Sequence, residues 1–147
     1  MPEMTALEKM RAFVEAYPDF DILGELSIDY TDQVPNNGGL FPNGLVEISR
    51  RHDIVGNVTV TNQYNFALYA VMAKSPDEND GAAYNAEWLM DFQQWAQRMS
   101  ATRQAPVFGD EPRMEQITAQ NGTIFSAEEE GTATYAIQIS VVFEKHF

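Results

Sequence analysis

The sequence predicts an α+β fold, a mostly antiparallel sheet with two helices packed on one of its faces. Three observations carry that prediction. Residues 57–73 alternate at period two for longer than an ordinary strand lasts. Two other segments place apolar residues at three- and four-residue steps, the spacing of a helix with one buried face. The remaining apolar runs are strand-like and separated by turn residues, so neighbouring strands pair antiparallel and leave the helices a sheet face to cover.

In chain order, Thr5 and Glu8 form a capping box, and Leu7, Met10, Phe13, Val14 and Tyr17 give the first helix its apolar face; Pro18 ends it. Leu26, Ile28 and Tyr30 alternate with polar residues as a first strand. Residues 31–44, dense in Pro, Asn and Gly, read as the longest loop. Its Leu40-Phe41 pair is either an anchor for a partner's groove or a fold-back onto the chain's own core. Val46 and Ile48 begin a second strand that runs into Arg50-Arg51, and Ile54-Val55-Gly56-Asn57 is the turn into the third.

In residues 57–73, Val58, Val60, Tyr64, Phe66, Leu68, Ala70 and Met72 share one face. The other face is polar at Thr59, Thr61, Gln63 and Asn65 and then apolar at Ala67, Tyr69 and Val71. At about 3.3 Å per residue such a strand spans roughly 55 Å. One end is therefore expected to outrun the domain or bend around it, with the N-terminal half the more exposed. Ser75-Pro76-Asp77-Glu78 has the pattern of an N-cap with Pro at N1, and a second helix follows, with Trp88, Leu89, Phe92, Trp95, Ala96 and Met99 on its buried face. Beyond an irregular stretch, residues 114–120 and 123–127 flank Asn121-Gly122, a strong hairpin signal. Glu128-Glu129-Glu130-Gly131 makes another turn, and Ala133, Tyr135, Ile137, Ile139, Val141 and Phe143 line a last strand. The C-terminal strands thus read as a three-strand meander.

The 147 residues fit a single domain (1–147). No run approaches the ~20 apolar residues of a membrane span. The N-terminus carries acids and lacks an apolar stretch, which points to a protein kept in the cytoplasm. There is no cysteine, so disulfides and thiolate chemistry are excluded. A net charge of −13, with nine basic residues scattered among twenty-two acids, argues against tight or sequence-specific DNA binding, which needs clustered cations. It fits a solvated surface, or one that faces nucleic acid without adhering to it. No catalytic or metal-binding constellation emerges. His52 and His146 are poor bases by position, and the acids of residues 77–81 lack calcium-loop spacing, with Trp88 where the final acid belongs. The expectation is a protein without catalytic residues, metal or cofactor.

The order of features resembles the minor capsid and tail-terminator-like proteins of tailed bacteriophages and prophages. The residues that carry the likeness are Asp53-x-x-Gly56, the strand ending Tyr64-Asn65-Phe66-Ala67-Leu68, and the acidic segment before a helix with Trp95 near its end. The closing run Gly131-Thr132-Ala133-Thr134-Tyr135-Ala136-Ile137 with Phe143-Glu144-Lys145 completes it. No single motif is diagnostic; their combination spans nearly the whole chain. The resemblance implies a non-catalytic virion protein at the head–tail junction that closes the tail tube, held in the host cytoplasm before assembly. Relatives of the tail-terminator type form hexameric rings. Partners would be other copies of itself, tail-tube and head-completion proteins, and DNA that passes without specific binding; no membrane is implied.

On that reading Thr59, Thr61, Gln63 and Asn65, with Leu40 and Phe41, are the expected interface between subunits, by edge pairing or by covering a neighbour's sheet. Local clustering makes Asp77, Glu78, Asp80, Glu128, Glu129 and Glu130 the expected channel-facing acids, which would repel phosphate. The alternative is a soluble ligand-binding module whose apolar pocket lies between the second helix and the sheet, lined by Trp88, Phe92, Trp95, Tyr135 and Phe66.

Overall fold

A computed structural model describes residues 5–20, 25–28, 37–73, 78–127 and 132–147. Along the chain these form α1 (Ala6–Glu15), β1 (Glu25–Ile28), β2 (Asn37–His52), β3 (Val58–Ala73), α2 (Glu78–Ala101), a 3-10 turn (Pro112–Met114), β4 (Gln116–Ala127) and β5 (Thr132–His146). The sheet order is β1-β2-β3-β5-β4. Four strands run antiparallel, and short β1 lies parallel to β2 at one margin. The fold is α+β.

The helix signals translate directly. Thr5 Oγ1 accepts from the Glu8 N–H at 3.2 Å while the Thr5 N–H donates to Glu8 Oε2 at 3.3 Å, closing the capping box. Both helices bring their apolar faces to one core. From α1 come Met10, Phe13 and Val14, from α2 Trp88, Leu89, Phe92, Trp95 and Ala96, and from the sheet Phe66, Leu68, Ile137 and Ile139 among others. The rings interlock. Phe13 stacks on Trp95 with centroids 4.7 Å apart, and Tyr17 meets Phe92 edge-on at 5.2 Å. The Trp88 indole N–H donates to the Asp19 carbonyl at 3.0 Å, so the buried ring keeps its polar atom satisfied and ties α2 to the end of α1.

Three local expectations are corrected. The expected loop 31–44 is strand from Asn37 onward, and residues 31–36 lie outside the described residues. Pro42 and Gly44, read as turn residues, flank a register shift at which Asn43 is the additional residue, and Gly44 has φ +98. Proline is tolerated there because a bulge on an outer strand does not need its N–H. Second, Asn121-Gly122 does not turn the chain. The ladder passes from Gln120 opposite Gln138 to Thr123 opposite Ala136, so the pair forms a bulge opposite Ile137 within continuous β4. The expected meander is therefore one hairpin, β4–β5; the turn expected at residues 128–131 lies outside the described residues. Third, β3 is an inner strand, paired to β2 on one side and β5 on the other along nearly its whole length.

Candidate functional site

The helices pack mainly on one end of the long strands, and only the start of α1, at Ala6 and Lys9, reaches toward Leu45 and Asn62 around a shared cavity. Ala70, Val71 and Met72 of β3 are buried on both faces of the sheet, whereas residues 42–57 are exposed throughout. The distal parts of β2 and β3, joined by their turn, form an arm. Alongside runs β5, whose register with β3 continues to His146 opposite Thr59.

The turn at the tip is built by Asp53. Its Oδ1 accepts from the N–H groups of Val55 (3.0 Å) and Asn57 (2.9 Å), and its Oδ2 accepts from the Asn57 side-chain amide at 2.9 Å. Gly56 supplies the positive φ of +93. The Asn57 side-chain amide, followed by the Asn57 backbone N–H, holds the Asp53 carboxyl below its ordinary value of 3.8. Two ion pairs brace the arm. Arg50 bonds Glu47 at 2.7 Å on its own strand, and Arg51 reaches across β3 to buried Glu144 of β5 at 3.0 Å.

The arm carries apolar side chains into solvent. Leu45, Val46 and Ile48 each retain 51% of their accessible surface, and Ile54 and Val55 at the tip are more exposed still. Its outer edge is open as well. β1 pairs with β2 only from Asn37 to Leu40, so beyond Leu40 the outer edge of β2 has no strand partner among the described residues. The opposite margin of the sheet is treated differently. There α2 lies along β4, the Gln93 amide donates to the Ala119 carbonyl at 3.0 Å, and Ser100 Oγ accepts from the Ile117 N–H at 3.0 Å. Those bonds occupy edge groups that another strand would need. An open, amide-rich groove of about 730 Å³ remains beside them, lined by Gln93, Gln97, Gln116 and Gln120.

The residues expected at a subunit interface separate. Leu40 is wholly buried in the core, which is the fold-back alternative, and so is not available to a partner. Phe41 points to the opposite face of the sheet, half-buried, with its ring edge-on to Tyr69 at 5.1 Å. Thr59, Thr61, Gln63 and Asn65 line that same face, partly buried; Asn65 Oδ1 accepts from Gln63 at 2.8 Å and from Ser140 at 3.0 Å. Because β3 is paired on both sides, these four cannot meet a neighbour by edge pairing. Of the expected channel acids, Asp77, Glu128, Glu129 and Glu130 lie outside the described residues, while Glu78 and Asp80 open α2.

The residues that reasoning from the sequence missed are Leu45, Ile54 and Val55. A signal was present: Ile54-Val55 sits between Asp53 and Gly56, where a turn would ordinarily be polar. The aromatic residues of the alternative pocket, Trp88, Phe92, Trp95, Tyr135 and Phe66, belong to the packed core, with α1 against them. Among the described residues no cluster of His, Asp and Glu could hold a metal ion, and no helix is long and apolar enough to cross a membrane. The chain matches no family model, and no curated protein matches it.

Proposed function

We propose that this chain is a structural virion subunit of a tailed bacteriophage or prophage: a non-catalytic minor capsid or tail-terminator protein that forms an oligomeric ring at the head–tail junction and closes the tail tube. The observation that supports an assembly role is the arm, a hydrogen-bonded extension of the core sheet that holds Leu45, Val46, Ile48, Ile54 and Val55 in solvent. Exposed large apolar side chains gathered on one projecting element suit contact with another macromolecule. The ring and its position come from the resemblance carried by residues 53–68, 95 and 131–145. The aromatic residues of the alternative pocket are packed in the core, and the groove that is open between α2 and β4 is lined by Gln93, Gln97, Gln116 and Gln120 instead.

The charge agrees with such a place. A ring traversed by DNA needs a wall that phosphate does not adhere to, and a net charge of −13 per chain supplies repulsion. Its neighbours would be tail-tube and head-completion proteins, with no cofactor.

The test is to delete the gene from an inducible prophage and image the particles. Heads and tails should accumulate unjoined, and the protein, supplied in trans, should appear by immunolabelling at the junction. Intact particles after deletion, or label elsewhere, would refute the assignment.

A further inference from the structure

Among the described residues, the margin of β2 beyond Leu40 is unusual in having an open backbone edge and exposed apolar side chains together. Folded proteins normally blunt such edges, as α2 does for β4 through Gln93 and Ser100. We infer that the β2 edge from Gly44 to His52 is a self-association site that pairs antiparallel with the same edge of a second copy of this chain.

Charge selects that occupant. Within residues 44–57, Arg50 and Arg51 balance Glu47 and Asp53, so the net charge of −13 resides elsewhere on the molecule. Two strongly acidic bodies therefore approach with least repulsion arm to arm. The pattern within the arm is also self-complementary. Residues three apart on a regular strand face opposite sides of the sheet. The register shift between Glu47 and Ser49 inserts one residue, so Glu47 and Arg50 share a face, as their 2.7 Å bond requires. Two copies laid antiparallel about a two-fold axis between Ile48 and Ser49 place Glu47 of each across from Arg50 of the other. Two carboxylates and two guanidiniums then alternate in sign on one face, while on the other face Val46 of each copy comes across from the Arg51 stem of its partner.

This contact does not rest on the head–tail reading. A two-fold contact joins chains in pairs, whereas a cyclic ring repeats one head-to-tail contact. Within ring assemblies it would join two rings or pair chains before a ring closes.

The experiment is sedimentation equilibrium of the whole chain from about 1 µM to about 1 mM, a range that detects weak pairing. The wild type should reach a species of twice 16.6 kDa. Glu47→Arg and Arg50→Glu each set like charges opposite one another and should weaken pairing by about ten-fold or more. The double swap Glu47→Arg, Arg50→Glu rebuilds the alternating quartet and should restore it. Circular dichroism checks that each variant folds; both side chains are about half exposed, so folding should be kept. A wild type that is monomeric throughout overturns the inference. So does self-association that the single swaps leave unchanged, or that the double swap fails to restore, because the contact then lies elsewhere or belongs to a different partner. None of these results bears on where the protein sits in a particle, which the deletion test reads separately.

Discussion

Truncating Phe92 to alanine removes the ring at the centre of the helix–sheet interface. Phe92 has no accessible surface, and its ring lies 5.2 Å from Tyr17, 5.9 Å from Trp88 and 5.8 Å from Trp95, centroid to centroid. A phenylalanine buries roughly 150–200 Å², which at about 25 cal/mol/Å² is roughly 4 kcal/mol; the methyl group that remains keeps about 1 kcal/mol of it. The cavity adds to the loss, because the three flanking rings are held by partners of their own and cannot collapse into it. Phe13 stacks on Trp95, and the Trp88 N–H is bound to Asp19. The expected total is about 3–5 kcal/mol. Guanidinium unfolding followed by the fluorescence of Trp88 and Trp95, the chain's two tryptophans, reads this directly, since both border the deleted ring. An unchanged slope with a lower midpoint would place the effect on the folded state. A loss below about 1 kcal/mol would refute the packing of α2 described above.

Three further outcomes are expected. Leu40→Ala should lower stability by about 2–5 kcal/mol with no change in the oligomer distribution of the folded protein, as suits a core residue; sedimentation alongside denaturation checks both halves. Gly109→Ala should cost about 1–3 kcal/mol in chemical denaturation, because an added Cβ overlaps the backbone carbonyl oxygen of Glu144, which also accepts from the Asp110 N–H at 2.8 Å; a neutral result would mean that the Gly109 loop does not lie against β5. Asp53 has a depressed pKa, so its stabilisation of the arm's turn is complete above the ordinary value of 3.8 and is lost as pH falls through the lower, folded value. Amide exchange at Val55 and Asn57 should accelerate over that acidic window in the wild type and be pH-independent, after correction for intrinsic rates, in Asp53→Ala.

What the sequence disclosed and what it concealed divide along physical lines. The helices and their buried faces were legible because a capping box and a 3.6-residue period are local, and local chemistry suffices to specify them. The core residues followed, since Phe66, Leu68, Leu89, Phe92, Trp95, Ile137 and Ile139 each sit on a clean period. Bulges were not legible. Pro42-Asn43-Gly44 and Asn121-Gly122 are composed like turns, and only a partner strand decides whether such residues reverse the chain or swell within it. The arm was half legible: the length of residues 57–73 implies either a projection or a bend around the core, and strand order lies beyond any single segment. The sequence leaves its polar face two ways to meet a neighbour, edge pairing or covering a sheet, and β2 and β5 already occupy the edges. The exposed apolar residues fell on the neighbouring strand, where Leu45, Val46 and Ile48 look like ordinary strand content.

The participation of β5 changes what the arm is mechanically. The Val58 N–H donates to the Phe147 carbonyl at 3.2 Å and the Phe147 N–H returns the bond at 2.8 Å, so three strands run nearly to the tip. A lone two-stranded hairpin is at best marginally stable in water. A third strand makes the arm a stiff lever whose conformational entropy, roughly 1–2 kcal/mol per backbone residue, is surrendered during folding and not at an encounter. Docking then costs mainly rigid-body freedom and a few side-chain rotamers. A partner meets a surface already in its final shape, and recognition depends on angle and register, which a stiff lever transmits back to the helix-covered body.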